Sequence, residues 1–241
     1  NHFSVNNLQA RSVVQDTPTN NFMTWNPLFT NSRGTFAEGN RQVTTNVQGS
    51  TAYGQVEFGN MHLDAGKWYW EVEVVTVGSG GSLGLGMSSR AYSNTYTNGH
   101  NNGGSSGNVR YNNSSGAIVM GNAGSLGTGA TYTDGDTIMF AMDLDNSKFY
   151  TGKNGTWNNS QDPANGTNAF TLAEQSDYGD FWTPWISKDD TTHNSKVYLN
   201  TGNPVIANDS GNADGNGYGD FEYAVPSGFY AMCTKNIAQY G

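Results

Sequence analysis

The stretch GKWYWEVEVV at 66–75 constrains the fold of this chain more than any other. Trp68, Trp70, Val72 and Val74 share one parity, and Lys67, Tyr69, Glu71 and Glu73 share the other. Successive side chains of a strand point to opposite faces. The pattern therefore predicts an antiparallel strand with the Trp–Val set in a core and the Lys–Tyr–Glu set toward water. Two glutamates framed by aromatics also raise the question of sugar cleavage. Retaining glycosidases hold two carboxyls ~5–5.5 Å apart across the scissile bond. Residues i and i+2 of one strand lie ~6.5–7 Å apart and point the same way, so Glu71 and Glu73 read as strand residues and not as nucleophile and acid.

The same alternation recurs along the chain. TFAEGNRQVTT reads as two short strands about a turn at Glu38-Gly39-Asn40, and GQVEFG as another strand. In GSLGLGMS, Leu83, Leu85 and Met87 alternate with Gly84 and Gly86, which predicts close approach of a neighbouring backbone or a tight sheet–sheet contact. In 134–157, Ile138, Phe140, Met142 and Leu144 face inward and Asp145-Asn146 turns the chain. Lys148–Thr151 then returns, and Asn154-Gly155 supplies a second tight turn. FWTPWIS and SKVYLNTG are further strands. DFEYAVPSGFYAMCTKN reads as a strand, a turn and a last apolar strand. Residues 89–130 read as long polar loops around one clear strand, AIVMG. No helical stripe persists for three turns. The expectation is an all-β chain, a two-sheet antiparallel β-sandwich over 41–241, preceded by an extended N-terminal connector over 1–40 that packs through Phe22, Met23 and Trp25.

Composition narrows the partners. The 241 residues are 35% hydrophobic, 12% aromatic and 13% charged, with 32 glycines, so large aromatics must supply much of the core. The net charge of −9, with 11 Lys plus Arg, argues against nucleic acid and against anionic membrane surfaces. No apolar run approaches the ~18 residues of a membrane-spanning helix. Cys233 is the lone cysteine and reads as a buried, inert thiol. The chain begins at Asn1, which suggests a piece of a longer protein.

Taken in order, GKWYWEVEV, GLGM, YTDGDTIMFAMDLDNSKFYTGKNGTW, FWTPWIS and VYLNTG resemble a SPRY domain over roughly residues 50–203. The resemblance implies a concanavalin-like β-sandwich that presents binding loops and carries no catalytic activity. The flanking segments, NHFSVNN…DTPTNNFMTWNPL and DGNGYGDFEYAVPSGFYAMCTKNIAQYG, look like those of SPRY-containing fibre proteins of marine bacteriophages. That implies a virion-surface adhesion module, and as partners a host glycan, neighbouring fibre domains and further copies of itself, a trimer being expected. The long 89–130 loop departs from the animal SPRY pattern, so no peptide-binding residues carry over from it.

Other chemistry finds little support. DGNGYGD places Asp214, Asn216 and Asp220 at positions 1, 3 and 7 of a possible Ca²⁺ loop, but Val225 stands where the bidentate Glu of position 12 belongs. Asp143 and Asp145 read as turn residues. His2, His62, His100 and His193 lie outside any nucleophile-elbow or zinc-ligand context. No catalytic residue and no cofactor is therefore expected. Aromatics in polar loops can stack on sugar rings while amides and carboxylates read hydroxyls. The expected ligand-binding set is Tyr92, Asn94, Tyr96, Asn98, Tyr111, Trp157, Asp189 and Asp190. The expected function is a non-catalytic, glycan-binding adhesion module. A structural fibre spacer and a polysaccharide hydrolase are the alternatives.

Overall fold

Most of the alternating stretches of the sequence pair as strands, in two sheets. The computed structural model describes residues 14–28, 34–46, 55–80, 82–89, 107–121, 124–172, 181–189, 193–206 and 210–241. The first sheet begins with β1 (Thr35–Ala37) and β2 (Gln42–Thr44), joined through positive φ at Glu38, Gly39 and Asn40. The residue 40/41 line between connector and sandwich therefore falls inside a paired hairpin. The second sheet opens with β3 (Gln55–Phe58).

The opening stretch forms β4 (Lys67–Thr76), at the middle of the first sheet. The Gly-rich stretch forms β5 (Ser82–Ser88), in the second. A Cβ on Gly86 would run into the Val109 carbonyl of the adjacent strand, so the glycine there answers to close backbone approach. Next come β6 (Asn108–Asn112), β7 (Ala117–Met120) and β8 (Gly124–Thr128), where the sequence pattern offers only β7. β6 and β8 are short and rich in Asn, Ser and Gly, which hides their alternation.

β9 (Thr137–Asp143), β10 (Lys148–Lys153) and β11 (Thr156–Trp157) form the meander that the sequence predicts. Asn154 (φ 48°) and Gly155 (φ 82°) make its second turn. β12 (Phe170–Thr171) adds to β10. β13 (Thr183–Asp189) lies between β3 and β5. β14 (Lys196–Asn200) pairs with the second half of β4, and the two-residue β15 (Tyr230–Ala231) pairs in parallel with its first half. The strand orders are β1-β2-β14-β4-β9-β10-β11 and β3-β13-β5-β6-β7-β8. The expected last apolar strand is reduced to the two residues of β15, after which the chain closes with a short helix, α1 (Thr234–Tyr240), and the expected strand before it leaves only an isolated bridge from Phe221 to Asn212.

The core between the sheets holds the inward parity set: Trp68, Trp70, Val72 and Val74 of β4, Ile138, Phe140 and Met142 of β9, Leu83, Leu85 and Met87 of β5. Trp70 stacks on Phe140 with centroids 5.1 Å apart. The other parity set departs from expectation. Tyr69 is fully buried and Glu71 is 2% exposed. A third layer covers them: Phe22, Phe221, Phe229, Ala231 and Cys233 pack on Tyr69, Met139, Ala141 and Tyr150. Strand alternation assigns a face, but a covering segment distant in sequence decides whether that face meets water.

Segments from both flanks of the sandwich build this layer together. Met23 N–H donates to Met232 O and Thr234 N–H donates to Asn21 O, both at 2.9 Å. Met23 and Trp25 are buried at the edge of the main core.

Candidate functional site

The third layer stops short of the end of β4, and where it stops the outer face of the first sheet opens into a cleft of about 410 Å³. Its floor follows from strand register. Tyr198 of β14 and Thr137 of β9 flank Glu73, and Asn200 and Met139 flank Glu71 one pleat below. One wall is Glu222 and Tyr223, the other is Pro204, Val205 and Ile206, and Gly135 closes the end.

The two glutamates of β4 have different fates. Glu71 Oε1 accepts from the Tyr69 hydroxyl at 2.7 Å and from Tyr223 N–H at 2.8 Å. Its Oε2 accepts from Glu222 N–H at 3.0 Å and from Asn200 Nδ2 at 3.2 Å. Burial raises this carboxyl from 4.5 to about 7, although the four hydrogen bonds pull the other way. Glu71 is thus a clamp that holds the 221–223 segment onto the sheet. Glu73 is exposed at the cleft surface. Partial desolvation by the cleft and then the charge of Glu222 raise its carboxyl, and among the described residues no donor is bonded to it.

Both walls are fixed from behind. Ser210 Oγ donates to Glu222 O at 2.8 Å, and Asn212 Nδ2 to the same carbonyl at 3.0 Å, so the 221–223 strap is bonded along both edges. On the far side the buried Arg41 guanidinium donates to Pro204 O and to Asn203 Oδ1. Asn203 Nδ2 in turn donates to Asp16 Oδ2 at 2.8 Å. Asn200 is spent on Glu71, Asp220 O and Gly202 N–H. Glu73, Glu222, Thr137, Tyr198 and Tyr223 are left to meet a ligand.

Of the residues that the sequence marks for binding, Tyr92, Asn94, Tyr96, Asn98 and Asp190 lie outside the described residues. Asp189 ends β13, opposite Ser82. Tyr111 is not a loop platform. It sits in β6, fully buried between the sheets, with its hydroxyl donated to Ala130 O and its ring edge-on to Tyr132 at 5.2 Å. Trp157 is half-buried on the opposite side of the first sheet, edge-on to Tyr69 at 6.3 Å. The two therefore cannot share one sugar face.

The first residue of the possible calcium loop, Asp214, is taken up by internal donors. Asp214 Oδ1 accepts from Asn216 and Tyr218 N–H, and its Oδ2 from Ala231 N–H and Asn236 Nδ2, all at 2.7–2.9 Å. The side chain of Asn216 bonds to Asn236 Oδ1. Among the described residues no group of three or more His, Cys, Asp or Glu side chains could hold a metal.

The sequence pattern reads Glu71 and Glu73 as water-facing strand residues and not as catalysts, and it misses Tyr198, Glu222 and Tyr223 as site residues. The outward parity of SKVYLN held a signal, since it sets Tyr198 and Asn200 on one face. Nothing in the sequence places residues 222 and 223 beside them.

No protein-family model and no curated protein matches the sequence. Among solved structures, the chain is similar to the SPRY domain of human HERC1, 17% identical with a TM-score of 0.52, over 73% of this chain and 96% of that one. A second human SPRY domain is 18% identical with a TM-score of 0.47, over 66% and 90%. At such identity the HERC1 likeness speaks for architecture alone. Two antiparallel sheets in this arrangement, with that neighbour, give the chain a SPRY-type β-sandwich fold.

Proposed function

We propose that this chain is a non-catalytic binding module that attaches to glycans on a host cell surface, as part of a bacteriophage fibre. The observation that carries the binding role is the cleft: Tyr198 and Tyr223 beside Glu73, Glu222 and Thr137 on a floor of paired strands, with walls bonded from behind. Aromatic rings offer an apolar face for a sugar ring, and carboxylates accept from its hydroxyls. Because the walls are already held in place, little ordering entropy is lost on binding. Glu71 also supports the non-catalytic reading, since its two oxygens take four internal donors and none of its lone pairs is aimed at a substrate. The fibre setting rests on the resemblance of the flanking segments, and it brings neighbouring fibre domains, a trimer and a virion-surface location with it. Weak single sites repeated along a fibre gain avidity through effective concentration.

Glycan-array and whole-cell binding of the multivalently displayed chain tests this. Saturable binding that Tyr198→Ala and Tyr223→Ala each weaken at least tenfold supports the reading. Absence of binding to every glycan and host cell would leave the fibre spacer as the account.

A further inference from the structure

Charge is the least explained feature of the cleft. Glu71, Glu73 and Glu222 all line it, and among the described residues no lysine or arginine does. The third of these cannot be moved far, because the main chain of Glu222 is tied to Glu71 through its N–H and to Ser210 and Asn212 through its carbonyl. Glu73 is held centrally, between Tyr198 and Thr137 on a three-strand floor. Glu73 pairs directly with Tyr198 in the strand register, and Glu222 adjoins Tyr223 in the lining, so each tyrosine has a carboxylate beside it.

We infer that Glu73 and Glu222 form a charge filter, admitting to the cleft saccharides without negative charge and turning away carboxylated or sulfated ones. The inference rests on the glycan-binding reading above and names the ligand class that the site takes. Hydroxyl donors satisfy the oxygens of Glu73, whereas an anionic substituent meets no lysine or arginine among the described lining residues and adds a like charge to an existing pair. The Glu73 carboxyl is raised by burial and then by the charge of Glu222, so Glu222 already acts on Glu73 before any ligand arrives. At the separations inside one cleft, like-charge repulsion discriminates by on the order of tenfold or more at low salt, and less as salt screens it.

The test compares binding of the whole chain to neutral polysaccharides and to carboxylated or sulfated polymers of matched backbone, at about 20 mM and about 500 mM salt. The wild type should favour the neutral member, by a ratio that narrows at high salt. The Glu73→Gln/Glu222→Gln double variant should shift the charged-to-neutral ratio upward about tenfold, and Glu222→Gln alone should shift it part of the way. Thermal unfolding checks that each variant is folded. If wild type and double variant show the same ratio while Tyr198→Ala still abolishes binding, the filter is wrong and the glycan reading stands. If the wild type binds no saccharide of either kind, both fall.

Discussion

The Tyr69 hydroxyl donates to Glu71 Oε1 at 2.7 Å from two residues away on the same strand, and both side chains lie beneath the 221–223 strap. The pair joins the rigid sheet to the segment that walls the cleft, so chemistry at Glu71 is transmitted to the site's shape.

Glu71→Gln should therefore loosen the strap. The carboxyl, protonated at pH 5, still has two oxygens that can accept, whereas an amide has one, and its NH₂ would face a backbone N–H. Leaving one buried donor unsatisfied costs about 1–3 kcal/mol. Urea unfolding at pH 5 should show that loss, and limited proteolysis should cut faster near residues 221–229. Unchanged stability and unchanged cleavage would mean that the clamp is not needed.

The pH dependence has a definite sign. Glu71 titrates near 4.5 when unfolded and near about 7 when folded. Between those values the folded chain holds a proton that the unfolded chain has lost, so stability falls as pH rises. The contribution is fully present below about 4.5 and is lost as pH passes through about 7. A rise of this size corresponds to about 3 kcal/mol. Glu73, also raised, acts in the same direction. Denaturation at a series of pH values from 4 to 8 should show the decline in the wild type and a shallower one in Glu71→Gln; a rise across that range would refute it.

Phe221→Ala should cost about 3–5 kcal/mol, the range for removing a buried aromatic. Its ring meets Tyr69 edge-on at 5.0 Å and is wholly buried in the outer cluster. Calorimetry should show the lowered Tm, and a loss below 1 kcal/mol would show that the third layer contributes little to stability.

Gly155→Ala tests the turn and the wall together. The residue has φ 82°, and a Cβ there would lie 2.9 Å from Cδ1 of Tyr223. The backbone strain alone is worth about 1 kcal/mol. The variant should unfold at lower denaturant and bind glycan more weakly, because Tyr223 is displaced. The expected loss of stability with unchanged affinity would separate Tyr223 from the site.

Asp214→Asn should destabilise the chain by about 1–3 kcal/mol by breaking a four-donor carboxylate hub. Neither EDTA nor added calcium should move the Tm of the wild type. A calcium-dependent rise in Tm would restore the metal reading of that loop.

The inward faces were legible because alternation is local: Trp68 and Phe140 announce themselves within a few residues of sequence. So does the Asn154-Gly155 turn, since positive φ has few residue types to choose from. The burial of Tyr69 was not legible, because its cover arrives from Phe22 and Phe221, and a polar neighbour such as Glu71 looks solvated until four donors are found around it. β6 and β8 went unread for a simpler reason: NVRYN and GSLGT carry too few large apolar residues to show a period. The cleft failed on both counts. Tyr198, Glu73 and Tyr223 come from three separate segments, and only strand register and the strap bring them together.

The hydrogen bonds between residues 21–23 and 232–234 join positions more than two hundred residues apart in sequence, since Thr234 N–H reaches Asn21 O. Contacts of that span close a very long loop and come at a high entropic cost. The layer that walls the cleft should accordingly be the last part to form in refolding, so that intrinsic fluorescence recovers as the sandwich collapses and the binding surface appears in a later, slower phase.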